Sequence, residues 1–112
     1  MKLHITQLKC NVNDEFDGDE IYLKYDGKKI WPARLFKGIR TGEELSIDLF
    51  IEVPEDQKII IELWEYDLLT MNDHLGSFEV ILNEYGGPFQ TSLKLKEKDY
   101  IASYLLTWEV NK

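Results

Sequence analysis

At 112 residues, 44% hydrophobic and 12% aromatic, the sequence holds one globular domain spanning residues 1–112, with no room for a catalytic domain beside a regulatory one. A chain of this length buries roughly 65% of its unfolded surface, enough for a core without disulfide or metal staples. The net charge of −8 argues against nucleic acid as a partner, because phosphate neutralisation supplies most non-specific affinity. Cys10 is the only cysteine, so an intrachain disulfide is excluded and a reducing, cytoplasmic location is expected. No stretch approaches the roughly 18 apolar residues of a membrane span, and the alternating start Lys2-Leu3-His4-Ile5 lacks the apolar run of a secretory signal.

In chain order, apolar alternation predicts a first strand near 2–8, then strands near 20–25 and 29–32 joined by a tight turn at Asp26-Gly27. Gly38 to Gly42 reads as a turn. Leu45, Ile47, Leu49, Ile51 and Val53 then fall on one face and Glu44, Ser46, Asp48 and Glu52 on the other, which is the period of a half-buried strand. After a turn at Pro54-Glu55-Asp56, Ile59, Ile61 and Leu63 point one way and Ile60, Glu62 and Trp64 the other. Further strands are predicted near 75–82, 90–95 and 102–110, with Tyr85-Gly86-Gly87-Pro88 as a turn. No segment carries a helical stripe. The expectation is an all-β fold, an eight-stranded antiparallel β-sandwich.

The charge is concentrated. Asp14 to Glu20 holds five acids and Glu65 to Asp73 three, with no Lys or Arg in either; outside these windows thirteen acids meet thirteen bases. Crowded carboxylates raise one another's pKa and repel, and calcium, which takes six to eight oxygens, relieves both effects. An EF-hand does not fit "NVNDEFDG", since Phe16 stands where the glycine turn is needed.

Together these features resemble the C2 domain, a calcium- and phospholipid-binding sandwich. The family's third loop runs acid-aromatic-Asp, two residues, Ser or Thr, two residues, Asp, two residues, Gly. Here Glu65-Tyr66-Asp67, Thr70, Asp73 and Gly76 stand in that order, and Asp19 followed by "EIYLKY" resembles the end of the first loop and the strand after it. Glu65 stands where Asp is usual, and Glu20-Ile21 replaces a Pro-Tyr pair.

The resemblance implies calcium ligands at Asp19, Glu65, Asp67 and Asp73, with Thr70 as a hydroxyl or carbonyl ligand. The family's remaining first-loop ligand lies about six residues before Asp19, at Asn13 or its neighbour, and Asp14 is favoured. It further implies a membrane tip of Phe16, Leu68, Leu69 and Met71, entering an anionic phospholipid surface beside the ion, whereas Leu75 is expected in the core. A basic belt of Lys24, Lys28, Lys29, Arg34, Lys37 and Arg40 suits phosphoinositide head groups or an acidic protein.

Catalytic signals are thin. His4 and His74 have no nucleophile at a recognisable spacing, the serines lie in strand-like contexts, and "GIRTGE" lacks the Lys-Ser/Thr of a phosphate loop. Trp31, Trp64 and Trp108 sit in or beside strands and are expected in the core. The expected function is therefore non-enzymatic: a calcium-binding module engaging a membrane or protein partner, cytoplasmic and peripherally membrane-associated. The alternative is an ion-independent adaptor binding a protein through a sheet face or the basic belt.

Overall fold

The structure is a computed structural model that describes residues 1–55 and 57–112; Asp56, in the turn expected at 54–56, lies outside the described residues. The described residues form ten strands: β1 Lys2–Val12, β2 Asp19–Tyr25, β3 Lys28–Trp31, β4 Lys37–Ile39, β5 Glu44–Glu52, β6 Gln57–Glu65, β7 Asp73–Leu82, β8 Gly86–Ser92, β9 Lys94–Leu95 and β10 Ser103–Asn111. One sheet has the order β5-β1-β10-β8, the other β3-β2-β6-β7-β9 with β4 also on β2, and every pairing is antiparallel. This is the expected all-β sandwich with two strands more than the eight predicted.

The additional strands have local causes. β4 forms at the edge of β2 inside the stretch read as a turn. The strand expected at 90–95 divides: β8 pairs with β10, and after Leu93 the short β9 leaves for the other sheet and pairs with β7. β8 also begins within the Tyr85–Pro88 turn, which the sheet edge permits because Pro88 need not donate there.

Alternation builds the core between the sheets. Ile59, Ile61 and Leu63 of β6 pack inward with Phe78, Val80 and Leu82 of β7, and Tyr104, Leu106, Trp108 and Val110 of β10 face them from the other sheet. In β1 a bulge between Ile5 and Gln7 resets the period, so Leu3, Ile5, Leu8 and Cys10 are all buried despite uneven spacing. Asp26 and Gly27 take φ of 52° and 78°, the left-handed pair required by the β2–β3 turn. Leu75 is fully buried.

Trp64 departs from expectation. The inward positions of β6 belong to Ile59, Ile61 and Leu63, so Trp64 lies on the outer face, stacked on His74 at 4.8 Å with Lys24 Nζ 4.5 Å from its ring centre. β1 and β10 run side by side along the molecule, with Lys2 opposite Asn111 and Val12 opposite Ser103. Both chain ends therefore lie at the pole opposite the β1–β2 loop.

Candidate functional site

Strand pairing brings the two acidic segments to one pole. β2 starts beside the end of β6, with Ile21 opposite Glu65, and Tyr66 N donates to Glu20 O at 2.7 Å. Glu65 is in turn opposite Asp73, which closes the β6–β7 loop. Two other connections reach the same pole. Ile101 N donates to Asp14 Oδ1 at 3.2 Å, and Asn13 and Thr41 clasp the β1–β2 loop to the β4–β5 turn through two 3.0 Å backbone-to-side-chain bonds.

The acids at this pole have different fates. Asp19 is 1% exposed, and its carboxylate accepts from Asp14 N at 3.0 and 2.8 Å, from Glu15 N at 2.9 Å and from the Tyr104 hydroxyl. Glu65 is 3% exposed, and its Oε2 is the one buried side-chain oxygen among the described residues without a partner. Burial pushes the Glu65 carboxyl up to about 10, helped by the adjacent Glu15 carboxyl and by the charges of Asp19 and Asp14. Burial raises Asp14 as well, against the Ile101 amide and with Asp19, Glu15 and Asp73 adding to it.

Asp14, Glu15, Asp19, Glu65 and Asp73 thus act on one another electrostatically, and Arg40, packed against Gly18, lines one cavity with Glu15 and Asp19. Asp67 and Thr70 do not share in this interaction. Asp67 caps its own loop, accepting from Leu69 N at 2.9 Å and Thr70 N at 3.3 Å, and the Thr70 hydroxyl with these amides holds its carboxyl below the usual range. Among the described residues no three His, Cys, Asp or Glu side chains are set in metal-holding geometry.

Three contributors were missed in the sequence. Glu15 lies inside the acidic run but is not singled out by the family pattern. Asn72 fixes the β6–β7 loop by accepting from Asp67 N at 2.8 Å and donating to Tyr22 OH at 2.9 Å. Tyr104 reaches Asp19 from the other sheet, a contact that no local pattern signals.

The loops around this group expose large apolar side chains: Phe16 is 103% exposed, Leu68 81%, Leu69 90% and Met71 87%. The basic residues gather on the β2–β3–β4 edge. Lys24 is opposite Lys29, Tyr25 opposite Lys28 and Ile21 opposite Lys37, while Lys29 Nζ donates to Arg34 O and Arg40 follows β4. Lys24 lies beside the outer aromatic row Tyr22, Trp64 and His74. Among the described residues no helix is long and apolar enough to cross a membrane.

No protein-family model and no curated protein matches the chain. Among solved structures it is similar to C2 domain A of a plant extended synaptotagmin 1, at TM-score 0.53 and 12% identity over 99% of this chain and 95% of that one. With two antiparallel sheets superposing over nearly its whole length, the chain has the C2 fold.

Proposed function

We propose that the chain is a C2-like module that binds calcium at its acidic pole and uses the surrounding loops to engage an anionic phospholipid surface. One juxtaposition carries this: the unpartnered, buried Glu65 Oε2 amid carboxylates, on the pole that exposes Phe16, Leu68, Leu69 and Met71. A buried oxygen without a donor costs stability, and a hard cation with oxygen preference suits it. Glu65, Asp14 and Asp73, which are not in metal-holding geometry without the ion, would draw together to hold it, with Glu15 alongside; Asp67 and Thr70 would join if their loop released its internal bonds. Calcium, when bound, supplies the positive charge that offsets repulsion between this pole and anionic lipid. The apolar tips then enter the interface, each worth on the order of 1 kcal/mol when partly inserted.

Calcium should raise the melting temperature, since a hundredfold excess over Kd stabilises a native state by about 2.7 kcal/mol. A melting temperature unmoved by millimolar calcium would overturn the assignment. In vesicle sedimentation, Leu68→Ser with Leu69→Ser should lose calcium-dependent pelleting while keeping the wild-type melt; pelleting that survives excludes insertion by this loop.

A second function, ion-independent binding of an acidic partner, is favoured by Lys24 on the outer aromatic row and the basic edge beside it. Pulldown by acidic peptide in the presence of a chelator, lost on Lys24→Glu, would identify it.

A further inference from the structure

The resemblance counts Asp19 among the ion's ligands, yet its carboxylate is already filled from within the chain. A carboxylate offers about four acceptor positions. Asp14 N reaches both oxygens at 3.0 and 2.8 Å, Glu15 N reaches Oδ1 at 2.9 Å, and the Tyr104 hydroxyl donates to Oδ2. The group is 1% exposed, so an incoming cation would have to break this set to reach it.

Tyr104 reaches this carboxylate across the sandwich. It stands on β10, in the sheet opposite β2, with its ring in the core and 1% of its surface exposed. Among the described groups, its hydroxyl meets Asp19 and the buried Cys10 thiol. The loop is shaped to complete the ring: Gly18 at φ 101° lets the chain double back, with its N donating to Glu15 O at 3.1 Å. Arg40 Cγ and Ile39 O lie where a Cβ at Gly18 would go, so the reversal is also tightly packed.

We propose that Asp19 is a loop anchor and not a cation ligand, and that Tyr104 is its positioning residue. Together they hold the β1–β2 loop so that Asp14 and Glu15 are presented beside Glu65. The chain commits one buried acid to set the backbone from which the others act. The part concerning calcium rests on the function proposed above; the anchoring itself does not.

Two variants and two readouts test this. Tyr104→Phe removes one hydroxyl and leaves the ring in the core. In the calcium-free protein, NMR should then show the Asp14 and Glu15 amides exchanging at least about tenfold faster, with those of Leu63 and Val80 unchanged, and calcium titration should show affinity weakened by about tenfold. Unchanged Asp14 and Glu15 exchange in Tyr104→Phe overturns the anchor. Asp19→Asn keeps an acceptor oxygen for the loop amides. It should retain calcium binding within about tenfold of wild type, whereas complete loss of binding with undisturbed loop exchange would make Asp19 a ligand and overturn the assignment. If wild type binds no calcium, the functional proposal fails alone and the exchange rates decide the anchor.

Discussion

Replacing Glu65 by Gln should stabilise the cation-free protein at neutral pH. The folded chain holds this carboxyl's proton up to about 10, whereas the unfolded chain releases it near 4.5. The stability that this group contributes is therefore fully present below about pH 4.5 and is lost as pH rises through the folded-state value. Melts of the chelated wild type should show this contribution as a melting temperature falling between about pH 5 and 9, and Glu65→Gln should flatten that fall while gaining several kcal/mol at pH 8. A slope that persists in the variant would place its origin elsewhere. Because calcium requires the ionised carboxylate, calcium affinity should rise over the same pH range, as isothermal titration at two pH values would show.

Strand partnerships decide which substitutions the sandwich cannot absorb. A methyl group at Gly76 would be driven into the Lys94 carbonyl and the Leu93 side chain where β9 crosses to β7. Gly76→Ala should cost about 2 kcal/mol in urea denaturation, and Phe78→Ala, which empties the fully buried centre of β7, about 3–5 kcal/mol. Much of this framework was legible in the sequence. The runs Leu45–Val53 and Ile59–Leu63 alternate because each strand has one face on the core. β4 and β9, of three and two residues, are too short to carry a period and exist only through pairing with β2 and β7. The bulge between Ile5 and Gln7 broke the alternation that would have shown β1 continuing to Val12. At the site, the acids could be counted from the sequence and their loops matched to a family pattern. Their division of labour could not, because Asp19 is fixed by Tyr104, 85 positions away, and Asp67 by the local cap of its own loop.

Across the whole molecule, charge is segregated: acids cluster at the loop pole, while Lys24, Lys28, Lys29 and Lys37 share the β2–β3–β4 edge. Two different responses to salt should follow. Without calcium, attraction of the basic edge to anionic vesicles should be measurable only at low ionic strength. It should disappear near 0.5 M salt, where screening acts over about 4 Å, and also in Lys24→Glu with Lys28→Glu. Calcium-dependent pelleting through the apolar tips should be far less sensitive to salt. The pairing of Lys2 with Asn111 has one more consequence. Anything tethered to Met1 or Lys112 projects away from Phe16 and Leu69, along a body 41 Å in its longest dimension. A protein immobilised on a sensor surface through its final lysine would thus keep its loops turned outward, free to capture liposomes from the flow.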